Sequence, residues 1–245
     1  MNAPTLKLLL SGSSGRMGQL IERIAAQRPD LEIVGRANQD QWFDSAIPAD
    51  VLVDFSLPDL CRRSLEFALH QQLPMVIGTT GIDDDLQHAI QQAAAYIPIC
   101  QAANFSIGVE VLRSALRQIA RQLAPDFTVS ISETHHRGKL DAPSGTAIVL
   151  ARTLSAEGAR SDDAFGQNQS MVHAVDHISI HSARESDVIG EHAVVFKGVG
   201  EQLDLKHRAT DRSVFALGAL RAAAWLAKQP AGLYALRDML ETDSA

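Results

Sequence analysis

Cysteine is scarce, with Cys61 and Cys100 alone among 245 residues. Two distant thiols without a metal-ligand spacing exclude a disulfide framework, and they make a reduced compartment, the cytoplasm, the expectation. A surplus of basic residues is also missing: 22 Lys and Arg stand against 29 Asp and Glu, a net charge of −7. A nucleic-acid partner needs a basic field and is not expected. The first apolar run, Leu8-Leu9-Leu10, stops at Ser11-Gly12. That is too short for a leader or a membrane span, so neither is expected. Repeats and low-complexity tracts are absent as well. With 46% hydrophobic and 21% charged residues, the composition excludes general disorder.

What is there alternates. Short apolar strands are expected at residues 6–10, 31–37, 51–55, 75–77 and 97–101, with helices at about 16–27, 60–72 and 84–95 between them. Continuously apolar strands separated by helices imply a parallel sheet covered on both faces, a Rossmann-like doubly wound domain over residues 1–106. After a helix at about 107–123, ended by Pro125, the texture changes. Residues 127–133 alternate apolar and polar, as do 178–181, 193–196 and 203–207, which predicts a mixed or antiparallel sheet with one buried face. Residues 107–212 thus read as an α+β domain, with a long loop over 155–172. Residues 213–245 carry a final helix at about 214–228, stopped by Pro230.

Gly12-Ser13-Ser14-Gly15-Arg16-Met17-Gly18 falls between the first strand and the first helix. Glycines there let backbone amides approach a pyrophosphate at a helix N-terminus, or serve only to pack helix on strand. The acid expected at the end of the second strand to bind a ribose is missing, since Arg36-Ala37-Asn38-Gln39 precede Asp40. Arg36 or Arg16 can meet a 2′-phosphate instead, which favours NADP; Arg36 can equally be a solvated strand-end residue. Gly78-Thr79-Thr80-Gly81 and Ala103-Asn104-Phe105-Ser106 follow the fourth and fifth strands, on the rim where such sheets bind ligands. Asp83 to Asp85 read as a helix cap.

Residues 133–146, from Glu133 to Thr146, pack His135, His136, Arg137 and Lys139 together in an acidic chain. Pro143 suits the first turn of a helix, which leaves the amides near Ser144, Gly145 and Thr146 open beside Lys139 to hold a carboxylate or phosphate. The bland alternative is a basic surface turn with a serine cap. By alternation His135 shares a face with Val129 and Ile131, so His135 and His136 differ in role. His70, His88, His173, His177 and His181 read as structural or incidental, and no metal site is expected.

In order, the segments GSSGRMG, VDFS, GTTG, AANFSIGV, ETHHRGKLDAPSGTA, VIGEH and RATDRSVFALGALRAAAWL make the chain resemble the dihydrodipicolinate reductase family along nearly its whole length. The resemblance implies reduction of a cyclic imine dicarboxylate by NADPH or NADH, in a homotetramer built through the second-domain sheets. It implies a last helix that returns to the first domain. It also implies coenzyme contacts at Gly12 to Met17, Gly78 to Thr80 and Ala103 to Ser106. His135 falls at the proton-donor position and Lys139 at that of its partner. His136, Lys139, Ser144, Gly145, Thr146 and Arg212 fall where the substrate carboxylates are held. The chain departs from the family by trimming after the second strand and within 155–172. Two other readings remain at this point, an amino-acid dehydrogenase of similar architecture and a non-catalytic dinucleotide sensor. The first explains the glycine turn but not the His-His-Arg-x-Lys segment joined to Pro-Ser-Gly-Thr, and the second gives no reason to keep every proposed chemical residue intact.

Overall fold

The computed structural model describes residues 5–44, 47–162, 171–185 and 187–242. They divide into two compact units, one of Met1–Ser106 with Ser213–Ala245 and one of Ile107–Arg212.

The first unit contains β1 (Leu6–Ser11), α1 (Arg16–Ala25), β2 (Leu31–Ala37), β3 (Val51–Asp54), α2 (Pro58–Gln71), β4 (Met75–Ile77), α3 (Asp84–Ala93) and β5 (Pro98–Gln101). Its sheet runs β12-β5-β4-β3-β1-β2 and every pairing is parallel. Leu8 to Leu10, Val51 to Val53 and Met75 to Ile77 are all buried, as strands covered on both faces require. From β1 the order departs to β2 on one side and to β3 on the other. That reversal opens a crevice beyond the carboxyl ends of β1 and β3.

Elements from the end of the chain complete this unit: α6 (Ser213–Leu226), β12 (Gly232–Tyr234) and α7 (Leu236–Thr242). α6 is alanine-rich and packs on α1, β3, β4 and β5, burying Ala216, Ala219, Leu220, Ala222, Ala223 and Leu226. Gly218 is obligatory there, because a Cβ would sit 1.8 Å from the Phe105 carbonyl oxygen. β12, a sixth strand parallel to β5, has no counterpart among the expected strands. Gly-Leu-Tyr is too short to show alternation.

The second unit contains α4 (Ile107–Leu123), β6 (Thr128–His135), α5 (Gly145–Ala156), β7 (Arg160–Ser161), β8 (Val172–Val175), β9 (Ile178–Arg184), β10 (Gly190–Lys197) and β11 (Gln202–Ala209). Its sheet runs β11-β10-β6-β9-β8, with β7 also on β6. β6 is parallel to β9 and the β8–β9, β6–β10 and β10–β11 pairs are antiparallel, so the sheet is mixed. The core joins Leu112, Leu116, Leu150 and Leu154 of the two helices to Val129, Ile131, Ile178, Ile180, Val194 and Phe196 of the sheet. Burial of a side chain of this kind contributes about 1.5–3 kcal/mol. The segment expected as a loop over 155–172 instead includes the end of α5 and β7, and residues 163–170 lie outside the described residues.

Candidate active site

In the first unit a groove of about 780 Å³ opens at the crevice. Gly12, Ser14, Gly15, Arg16 and Met17 line one side, Phe55, Ser56 and Leu57 another, and Gly78, Thr79 and Thr80 a third. Gly12 has φ +79°, and a Cβ on it would lie 2.3 Å from the Phe55 carbonyl oxygen. A Cβ on Gly18 would lie 2.2 Å from the Gly12 carbonyl oxygen. Both glycines therefore let α1 and the neighbouring loop close up on β1. No side chain caps α1 and no acid sits in its first turn, so the positive end of the helix is left for an anion.

A residue the motifs did not single out braces this rim. Asp54, fully buried at the end of β3, accepts hydrogen bonds from Thr79 Oγ1 at 2.5 Å and from Ser56 Oγ at 2.8 Å. The Ser56 amide donates to Thr79 Oγ1 at 2.8 Å. One carboxylate thus fixes the two loops that follow β3 and β4.

Arg36 does not line the groove. It pairs with Glu22 of α1 at 2.5 Å, and Asn38 and Gln39 form the groove wall at that end. Its position on β2 sends the side chain to the neighbouring helix. Asn38 Oδ1 accepts from the amides of Asp40 and Gln41, a local turn that carries Asp40 outward. Ala103 to Ser106 also lie off this groove lining. Phe105 is buried against Phe55, with ring centroids 5.5 Å apart, and Asn104 Oδ1 accepts from the Ser106 amide. Ser13 is turned inward, donating to the Ala37 carbonyl at 3.1 Å.

In the second unit the buried face of the sheet changes character along β6. Val129 and Ile131 face the helices, and the same alternation then presents Glu133 and His135. Register places Ser182 and Arg184 of β9 beside Glu133 and His135, and His192 of β10 opposite Glu133. His192 in turn pairs with His207 of β11. A hydrophobic core thus continues into a polar one at the carboxyl end of β6.

Glu133 is the hub. Its Oε1 accepts from the Ser144 amide at 3.1 Å and from Arg184 Nη1 at 3.2 Å, while Oε2 lies 2.7 Å from His135 Nδ1, off the axis of the ring N–H. Burial opposes its charge, but His135, Ser182 and Ser144 together hold the carboxyl well below the usual range. His192 Nε2 is 3.0 Å from Ser144 Oγ and its ring stands edge-on to that of His135, centroids 5.1 Å apart. Burial, helped by neighbouring His135, pushes the His192 pKa down to about 3, so this imidazole is neutral.

Ser144 is the N-cap of α5, its Oγ accepting from the Ala147 amide at 3.2 Å. The helix therefore starts at Gly145, and Pro143 stands before the cap rather than in the first turn. Of the three amides expected to be open, that of Ser144 is taken by Glu133, whereas Gly145 borders open space. Lys139 Nζ pairs with Asp141 at 2.8 Å. His136, beyond the strand, lies with Nε2 3.2 Å from Arg212 Nη2. Arg184 ties down the intervening loop through the carbonyls of Lys139 and Asp141.

Sequence patterns did not mark Glu133, Arg184 or His192 as site residues. Donor atoms of Glu133, His135 and His192 lie within 4.8 Å of one another, a spacing metal sites share. Here a guanidinium and an amide already occupy one carboxylate oxygen, and His192 Nε2 is turned to Ser144.

A doubly wound unit with a glycine loop at its switch point, followed by a unit with a buried His–Glu pair at a helix N-terminus, defines a nicotinamide-dependent oxidoreductase. The family profile described as "Dihydrodipicolinate reductase, N-terminus" matches residues 6–105, and "Dihydrodipicolinate reductase, C-terminus" matches 108–240. The chain belongs to this family. It is 40% identical to the 4-hydroxy-tetrahydrodipicolinate reductase of Zymomonas mobilis, over 96% of this chain and 97% of that one. It is 42% identical to the enzyme of the same description from Pseudoalteromonas translucida, over 96% and 98%. The fold is also that of a dipicolinate-bound dihydrodipicolinate reductase from Paenisporosarcina sp. TG-14, with a TM-score of 0.77, 23% identity, and coverage of 94% of this chain and 97% of that one. The chain's activity is accordingly the NAD(P)H-dependent reduction of 4-hydroxy-tetrahydrodipicolinate, in diaminopimelate and lysine biosynthesis.

Proposed function

We propose that this reduction uses His135 as proton donor and Lys139 as its partner, with His136, Ser144, Gly145, Thr146 and Arg212 holding the substrate carboxylates. The observation that carries the assignment is the buried Glu133–His135–His192–Ser144 network beside Lys139, at the N-terminus of α5. The coenzyme, when bound, supplies a hydride to the conjugated ring. The first unit is the dinucleotide-binding domain, and its glycine loop, Arg16 and the uncapped end of α1 suit the pyrophosphate. His135 hands a proton to the ring carbon, because an imidazole can hold and release one near neutral pH. Lys139, Arg212 and the α5 amides neutralise the carboxylates and fix the ring. With no acid at the end of β2, NADPH serves at least as well as NADH.

The second unit is the substrate-binding and tetramerisation domain of a cytoplasmic homotetramer. Both of its helices lie against one sheet face, so another copy can cover the other. The test is turnover: purified protein oxidises NADPH or NADH only when given the product of aspartate semialdehyde–pyruvate condensation. Dipicolinate, the planar analogue, competes with that substrate. Folded protein inactive with both coenzymes overturns the reading.

A further inference from the structure

We propose that Glu133 is a positioning residue that joins the proton donor His135 and the carboxylate-binding end of α5 into one rigid piece. The proposal rests on the reaction assigned above and adds a residue to it. Glu133 and His135 are two apart on β6 and so share its buried face. The two carboxylate oxygens have different tasks. Oε1 accepts from the Ser144 amide and from Arg184, and Oε2 is 2.7 Å from His135 Nδ1. A carboxylate present only to neutralise Arg184 has no need of the second contact.

The arrangement assigns the two ring nitrogens. Nδ1 is the ring nitrogen that approaches Glu133 Oε2, at 2.7 Å and off the axis of its N–H, which leaves Nε2 for transfer: the Nε2–H bond breaks, a C–H bond forms on the substrate ring, and a solvent proton later restores Nε2. Gly190 of β10 makes room for that nitrogen, since a Cβ there would lie 3.1 Å from Nε2. The charged and titratable groups around the ring are Glu133 on its own strand, Arg184 opposite it on β9 and His192 on β10, with His207 of β11 and Lys139 acting on His192 in turn. Glu133 is the one anion among these groups.

Three measurements on the full-length protein test this. Glu133→Gln should lower kcat about 100-fold, the low end of what a positioned proton donor contributes. It should move the alkaline limb of the kcat profile to lower pH, because the ring loses its anionic neighbour. Coenzyme affinity should stay unchanged. The double variant Glu133→Gln/His135→Gln should be no slower than His135→Gln alone, because Glu133 acts through the histidine. ¹⁵N NMR of the unsubstituted protein, with the His135 signal identified by its loss in His135→Gln, should show neutral His135 protonated on Nδ1. Additive losses in kcat, or a folded Glu133→Gln that keeps its kcat and pH profile, overturn the proposal. So does an Nε2–H tautomer, which decides the matter even if Glu133→Gln does not fold. Absence of turnover in the unsubstituted protein counts against the assigned reaction alone, since the tautomer is read without turnover.

Discussion

At the scale of single residues, the ammonium of Lys139 already has a partner. Asp141 holds it at 2.8 Å, but with its side chain 61% exposed. If Lys139 binds a substrate carboxylate as proposed above, that carboxylate takes the ammonium over from Asp141. An exposed pair of this kind is worth only ~0.2–1 kcal/mol. Asp141→Asn should therefore tighten dipicolinate binding by roughly 1.5–5-fold, read by calorimetry; weakened binding would mean that Asp141 positions Lys139 rather than competing for it. On the proposed role of Lys139, Lys139→Ala removes one member of a desolvated pair with the substrate. That costs ~2–5 kcal/mol, so kcat/KM should fall roughly 30-fold to several-thousand-fold. Arg36 and Arg16 differ in the same way. Arg36 is engaged by Glu22, whereas Arg16 lines the groove. Arg16→Ala should raise KM for NADPH more than for NADH, and Arg36→Ala should leave both unchanged; the reverse pattern would return Arg36 to the phosphate.

At the scale of elements, the parallel strands were legible because three or four consecutive apolar residues leave no solvent face. The inward direction of His135 was legible because alternation runs unbroken from Val129. The network beneath it was not. Glu133, Arg184 and His192 meet only once β6 has paired with β9 and β10, and register between residues as far apart as Glu133 and Arg184, 51 positions along the chain, leaves no local trace. Pro143 misled for a different reason: proline favours the first helical turn, but here Ser144 takes the cap and moves the start along by two residues. Gly218 also acquires its meaning only from packing. Gly218→Ala would drive a methyl group into the Phe105 carbonyl, so stability should fall by about 1–3 kcal/mol, as overpacking does. A thermal melt matching the unsubstituted protein would show that α6 can shift to make room.

At the scale of the whole molecule, burial and the nearby His135 keep His192 neutral with a pKa of about 3, against 6.5 when exposed. Below about pH 6.5 the unfolded chain therefore binds a proton that the folded chain refuses. Stability is complete above that pH and is lost as pH falls towards 3, by up to ~1.4 kcal/mol per pH unit for this group. Glu133, its carboxyl held low, adds to the loss further down, once pH drops below about 4.5. The urea midpoint should fall between pH 7 and pH 5, and His192→Gln should flatten that slope; an unaltered slope would assign it to other groups.

The pairing of β12 with β5 has a consequence for how the chain is made. The second unit is one continuous stretch, Ile107–Arg212, while the first lacks its outermost strand until Gly232–Tyr234 has been synthesised. During translation the second unit can fold as soon as it emerges, while the earlier-made half waits with the β5 edge uncovered. The unit begun first is thus the one that can be completed only last. A chain cut after Gln229 should keep the ordered second unit and fail to retain coenzyme, which limited proteolysis and fluorescence titration would reveal together.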